Sequence, residues 1–459
     1  MNNLIKFPEG FILGAATSSY QIEGAVNAGG RGPSIWDHFC KKTGKVKNSD
    51  NGDIACDHYN RYINDVRLMS ELGIKSYRFS IAWPRIFPSG TGTVNQPGLD
   101  FYDRLIDQLL AAGIEPLPTL FHWDLPVPLQ DKIGGFKSKQ CAQYFTDYSL
   151  FVADKFRDRV KRWITINEPW VYAMVGHLRG VHAPGLKSLK TGSAVLHHLM
   201  YAHGLTYRAL KQLDSSLKVG ITLNLSPCYP RTDSPKDEAA AVIFDHFFNR
   251  CQLEPLFRGR YAPQLVKMIR FFLPKFDPID MKVIHSGMDF LGVNYYTRIR
   301  ARHSHFGPLI GAWLSYKKPP PREYIRNGKL YTSMGWEIYP QGLYDLMIRL
   351  KNDYGNPEVY ITENGAAFKD ALVSGHIHDQ KRIDYFHDHL AKLSKAIDAG
   401  ANVKRYYAWS LMDNFEWEHG YSQRFGLYHV DYDTQIRTLK DSGKWYRELI
   451  KYNISGATV

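Results

Sequence analysis

KRIDYFHDHLAKLSKAIDAGANVKRYYAWSL, residues 381–411, holds the repeating unit of the fold. Ile383, Phe386, Leu390, Leu393 and Ile397 alternate spacings of three and four, which lays them along one face of a helix over Lys381–Ala399. Gly400 follows as the residue that ends helices in a left-handed turn. Val403–Leu411 then reads as a strand. A one-faced helix feeding directly into a strand is the element of a parallel sheet covered by helices.

The same alternation runs outward to both ends of the chain. Strands are predicted at Phe11–Ala15, Ser76–Trp83, Ile114–Trp123, Lys161–Asn167, Lys218–Leu225, Met288–Tyr296, Glu358–Thr362 and Val403–Leu411. Helices are predicted at Leu99–Ala112, Gln140–Arg157, Ser193–Leu213, Glu238–Cys251, Gly342–Tyr354, Lys381–Ala399 and Lys444–Tyr452. Eight strand-then-helix units without a linker predict an α/β fold, a single (β/α)8 TIM barrel serving as one catalytic domain over 1–459. A minimal barrel needs only about 250 residues, so the excess goes to loops: Gly24–His58, His177–Lys190, Ser226–Ala240, Arg298–Tyr331 and Asp413–Lys440. Four of these five follow a strand's C-terminal end, where barrels carry their active sites. Lys317–Pro321 (KKPPP) reads as a stiff loop.

Composition narrows the function. With 22% charged and 44% hydrophobic residues the chain is globular, which excludes disorder and collagen-like structure. Aromatics make up 14%, and flat faces with polar handles suit a carbohydrate. The net charge of +13 is scattered, densest at Lys41–Lys47 and Lys317-Lys318, and no nucleic-acid motif accompanies it. Cys40, Cys56, Cys141, Cys228 and Cys251 are odd in number and form no C-x-x-C, which predicts thiols in a reducing compartment. No signal peptide and no run of about 18 apolar residues is present, so a cytoplasmic protein without a membrane, nucleic-acid, metal or cofactor partner is expected.

Two glutamates stand out. Glu168 ends the run Arg162–Glu168 before Pro169, after the fourth strand, and Glu363 ends Val359–Glu363 before Asn364-Gly365, after the seventh. A lone glutamate at such a place is ordinarily a solvated loop residue. Two with matching surroundings, on strands expected to face each other across the barrel, can bracket one bond. Glycosidic cleavage needs such a pair: one group protonates the leaving oxygen while the other attacks or activates water.

FILGAATSSYQIEGA (11–25), YRFSIAWPRI (77–86), FHWDLP (121–126), TINEP (165–169), HAPG (182–185), DFLGVNYYT (289–297), MGWEIYP (334–340), ITENG (361–365) and WSLMDNFEWEHGYSQRFGL (409–427) complete the pattern. In these stretches the chain resembles glycoside hydrolase family 1, the β-glucosidase family, along nearly its whole length. The resemblance implies a retaining enzyme on a (β/α)8 barrel. It implies Glu168 as general acid/base, Glu363 as nucleophile, and Arg78 and Tyr296 as the nucleophile's hydrogen-bond partners, with the cation keeping Glu363 ionised by lowering its pKa. Without it, Arg78 reads as a strand-end ion-pair residue and Tyr296 as a core phenol. Asn167 matches the side chain on the sugar 2-hydroxyl, and Asn294 resembles a second pocket amide. Gln21, His122, Trp409, Glu416 and Trp417, with Trp123 nearby, match the group that grips the non-reducing sugar. Trp170 and Trp336 resemble aromatics at the mouth, or are wall residues.

Leu13, Phe136 and the Cys251–Pro255 stretch depart from the family pattern, which bears on loop packing and outer subsites. Members acting on 6-phosphorylated sugars have Ser, Lys and Tyr where this chain has Glu416, Gln423 and Phe425, so a 6-phospho-β-glycosidase is disfavoured. Myrosinase-like members replace the acid/base by Gln, which Glu168 argues against, and a dead glycan-binding barrel predicts loss of a catalytic carboxylate, whereas both remain. The expected substrates are small β-glycosides such as cellobiose or aryl glucosides, with β-galactosides or β-fucosides also accepted, in a role in cellulose degradation.

Overall fold

The computed structural model describes residues 4–273, 277–304, 325–326 and 329–454. Eight parallel strands close in chain order: β1 (Ile12–Ala16), β2 (Ser76–Ser80), β3 (Glu115–Phe121), β4 (Arg162–Asn167), β5 (Lys218–Asn224), β6 (Phe290–Asn294), β7 (Val359–Asn364) and β8 (Val403–Trp409). β8 pairs back onto β1, with Gly14 beside Tyr407 and Ala16 beside Trp409, so the barrel leaves no open edge. All eight predicted strands are present, with ends moved by a few residues. In the ring β4 and β7 are separated by β5 and β6. They therefore do not face each other squarely, as the sequence reading has it, and β5 and β6 supply the residues between the two glutamates.

The helices α1 (His58–Leu72), α2 (Gln96–Ala111), α3 (Gln140–Phe156), α4 (Leu189–Leu213), α5 (Pro278–Ile284), α6 (Pro340–Asp353), α7 (Gln380–Asp398) and α8 (Asp441–Ile454) surround the sheet. In α7 the stripe Ile383, Phe386, Leu390 and Leu393 is buried, and Gly400 takes a φ of +89° beyond its end. Helix α4 starts four residues before the predicted Ser193, because Ser188 Oγ accepts from the Thr191 N–H at 3.2 Å and caps it. The predicted helix Glu238–Cys251 is part of a longer helical run from Pro235 to Arg258, with a π-helical turn at His246–Arg250.

Two predicted loops hold more structure than expected. Within Gly24–His58, Ile35–Cys40 is a helix closed by a reciprocal cap between Ser34 and Asp37. The loop expected at His177–Lys190 is entered through a π-helical stretch, Val171–Arg179. Lys317–Pro321 lies outside the described residues. Among the described residues no helix is long and apolar enough to cross a membrane.

The barrel interior is apolar near the strand starts, where Leu117, Ile164, Phe290 and Tyr360 pack together and the last two stack at 4.2 Å between ring centres. Towards the strand ends it turns polar, with Arg78, Thr119, Asn167, Thr222, Asn294 and Thr362 all buried. Buried polar groups must satisfy one another or a ligand. That change of character places the site at the C-terminal mouth.

Candidate active site

Glu363, the fifth residue of β7, sits at a shift in strand register against β6. Such an irregularity re-aims a side chain. Arg78 Nη1 donates to Glu363 Oε1 at 2.6 Å, and the Tyr296 hydroxyl donates to Oε2 at 2.6 Å. Arg78 is itself fixed by Thr362 O (3.0 Å), Asn167 Oδ1 (2.7 Å) and Thr119 Oγ1 (3.3 Å). The next residues lock the strand end: Asn364 Nδ2 donates to Tyr295 O at 2.7 Å, and a Cβ at Gly365 would meet Trp409 O at 1.8 Å. Burial raises the Glu363 pKa, while Arg78 and Tyr296 pull it down. The cation acts in the expected direction, but burial outweighs it and the net value lies above the ordinary one.

Glu168 follows β4 with a φ of +48°, a region that non-glycine residues seldom occupy, and its N–H donates to Thr222 O at 2.8 Å. Its carboxyl accepts from Asn294 Nδ2 at 2.7 Å and from Asn224 Nδ2 at 3.3 Å. Both donors are neutral amides. Burial, with Glu363 adding a like charge, pushes Glu168 up to about 8.

Around these carboxyls the structure assembles the other predicted residues. Asn167 donates to His122 Nε2 at 3.0 Å and accepts from Arg78 and Asn294, so its amide is oriented on both sides. Burial and Arg78 hold His122 well below the usual histidine range. The ring is therefore neutral, with its proton on Nδ1, which has no hydrogen-bond partner among the described residues. Glu416 Oε2 is likewise buried and without a hydrogen-bond partner among the described residues, and burial raises the Glu416 pKa well above the ordinary value. Gln21 is more committed than expected. Its Nε2 donates to Asn414 Oδ1 (3.0 Å) and Phe415 O (2.7 Å), and its Oε1 accepts from Ser18 (2.7 Å), leaving one acceptor position.

The aromatics form two walls. His122 stacks on Trp409 with ring centres 6.2 Å apart, and Trp417 lies 4.7 Å from Trp123. Trp123 (φ +81°) and Trp417 (φ +46°) share the positive backbone angle of Glu168, and such conformations cluster where a site is over-determined by its surroundings. Trp336 packs against Tyr296 (5.1 Å) and Phe425 (6.1 Å). Trp170 donates to Phe247 O and packs on Phe248 at 4.5 Å, which makes it part of the wall. Of the departures, Phe136 is fully buried against Phe121, and the Cys251 thiol donates to Phe247 O in the helix behind Trp170.

Sequence reasoning missed Asn224, Thr222, Thr362 and Asn414. Asn224 ends β5 as Asn167 ends β4 and Asn294 ends β6, a recurrence of strand-terminal amides that was open to view. The threonines read as ordinary strand residues.

A carboxyl bound by a guanidinium and a phenol, beside one bound by amides alone and pushed towards protonation, can attack a carbon and protonate a leaving oxygen at once. On the C-terminal mouth of a (β/α)8 barrel, with aromatic and amide walls, that pair defines a glycoside hydrolase. The sequence profile of glycosyl hydrolase family 1 matches residues 4–455. The chain is 47% identical to β-glucosidase A of Thermotoga maritima over 98% of its own length and 99% of the relative's, and 46% identical to a 1,4-β-D-glucan glucohydrolase of Thermotoga neapolitana over 98% and 99%. A Thermotoga maritima β-glucosidase solved with glucoimidazole superposes with a TM-score of 0.91 at 46% identity, covering 98% of this chain and 99% of that one. This chain belongs to glycosyl hydrolase family 1. Its activity is that of a retaining β-glucosidase, and its substrates are small-molecule glycosides.

Proposed function

We propose that Glu363 is the nucleophile and Glu168 the general acid/base of a double displacement on terminal β-D-glucosyl residues. The observation that carries this assignment is the asymmetry of donors: of the two carboxyls Arg78 and Tyr296 hydrogen-bond Glu363, and the amides of Asn294 and Asn224 hydrogen-bond Glu168. Glu363 attacks the anomeric carbon as Glu168 gives its proton to the glycosidic oxygen, and the aglycone leaves as an alcohol. Water then attacks the glycosyl ester, its proton passes to Glu168, and Glu363 returns to its carboxylate with net retention.

Asn167 takes the sugar 2-hydroxyl. The open donor of His122 and the open acceptor of Glu416 take hydroxyls further along the ring, on the platform of Trp409, Trp417 and Trp123. The remaining acceptor of Gln21 joins them. A neutral diol satisfies one donor and one acceptor. A phosphate, which only accepts at its charged oxygens, does not suit Glu416. β-Galactosides and β-fucosides share most of these contacts and are accepted as well. Trp336 flanks the aglycone of the substrate, cellobiose or an aryl glucoside, and the naming of a Thermotoga neapolitana relative as a glucan glucohydrolase supports the former. The whole chain works as one catalytic domain in the cytoplasm, on sugars released during cellulose degradation.

Azide tests the assignment. In Glu168→Ala it intercepts the glycosyl-enzyme and gives the β-glucosyl azide; in Glu363→Ala it attacks directly and gives the α-anomer. The opposite pair of anomers would exchange the two roles.

A further inference from the structure

Beneath the carboxyls the barrel interior carries a chain of hydroxyls that the reaction as described does not use. Thr222 on β5 and Thr362 on β7 are fully buried. Thr222 Oγ1 donates to Thr362 Oγ1 at 3.3 Å, and Thr362 Oγ1 donates to Asn294 Oδ1 at 2.7 Å. Asn294 then turns its nitrogen to Glu168 Oε1 at 2.7 Å and to Asn167 Oδ1 at 3.1 Å. Gly292 on β6 makes room for this chain, since a Cβ there would meet Thr222 Oγ1 at 2.2 Å.

The direction of the chain follows from proton counting. A hydroxyl has one proton to give. Because Thr362 accepts from Thr222, its own proton goes to Asn294, and Asn294 must offer it oxygen. That leaves only the NH₂ end for Glu168. Without that anchor the amide is held only through its nitrogen, by Glu168 and Asn167, and an Asn294 that turned over would face Glu168 with oxygen, favouring the protonated acid over the carboxylate.

We propose that Thr362, backed by Thr222, is a positioning residue: it fixes which end of the Asn294 amide meets Glu168 and so sets how readily Glu168 gives up and retakes its proton. This inference rests on the reading of Glu168 as the acid/base. Neither threonine touches the sugar or the reacting atoms; both act through Asn294.

The test is the pH profile of kcat/KM of the full chain on an aryl β-glucoside with a poor leaving group. In Thr362→Val the alkaline limb should move upward by roughly one to two pH units, the size of a lost or reversed hydrogen bond to the ionised form. Thr222→Val should move it less and in the same direction, and serves as the reading if Thr362→Val does not fold. Thr362→Ser keeps the hydroxyl and should keep the wild-type limb. On an Asn294→Ala background Thr362→Val should add no shift, and an added shift would mean that Thr362 acts by another route and would overturn the proposal. An unmoved limb in both valine variants, with the alkaline limb abolished in Glu168→Ala, would sink the proposal and leave the acid/base assignment standing. A limb that survives in Glu168→Ala would overturn both.

Discussion

The ends of β4 and β7 carry the same side chain in opposite surroundings. At β7 the carboxyl meets a guanidinium and a phenol at 2.6 Å each; at β4 it meets two amides at 2.7 and 3.3 Å. Both groups are buried, so desolvation raises both. The partners then separate them: two donors, one of them charged, work against that rise at Glu363, while Glu363 itself adds to it at Glu168. Division of labour between identical residues is thus a property of their neighbours, and those neighbours come from β2, β5 and β6 and from Tyr296 just past β6.

The comparison breaks hardest where a carboxyl is deleted. Glu363→Ala removes the proposed nucleophile for every substrate, and kcat/KM should fall by on the order of 10⁴-fold or more whatever the leaving group. Glu168→Ala should cost about 10²–10⁴-fold with poor leaving groups and far less for glycosylation by good ones. Equal losses across a leaving-group series in both variants would erase the distinction drawn here.

Much of this was legible in the sequence, because period and punctuation act locally. The stripe in 381–399, its closing glycine and the strand beyond it fix one barrel unit, and repeats of that unit fix the rest. The glutamates were legible through their place at strand ends. What was hidden depends on relations between distant strands. Nothing near Thr362 in the chain says that its hydroxyl reaches Asn294, and the commitment of the Gln21 amide to Asn414 and Phe415 needs the loop after β8 in place. The net rise at Glu363 was hidden for the same reason, since the family resemblance implies the cation beside it but not how dry the site is. The short helix at Ile35–Cys40 was legible in principle from Ser34 and Asp37, yet a long insertion invites reading as loop.

Smaller perturbations sharpen the comparison. Glu416→Ala leaves a sugar hydroxyl unpaired in a dry pocket at about 1–3 kcal/mol, so kcat/KM on glucosides should fall roughly 5- to 150-fold, measured by initial rates. Wild-type kinetics would remove Glu416 from the site. The pH profile perturbs the wild-type chain alone. In the proposed mechanism cleavage requires Glu168 protonated, and its pKa is pushed up to about 8, so kcat/KM should decline as pH rises through that value, by about tenfold per unit beyond it. A flat profile to pH 10 would contradict the assignment.

The most direct measurement follows the two carboxyl carbons themselves, by ¹³C NMR on chain labelled at glutamate, with Glu168→Gln and Glu363→Gln to assign the signals. In the free enzyme Glu168 should titrate near 8 and above Glu363. Once Glu363 is esterified by a slow-turnover glycoside its charge is gone, and the Glu168 titration should move down, which turns the acid into the base that the second step needs. A Glu168 signal that titrates at the same pH in both states would contradict the claim that the neighbouring carboxylate sets its role.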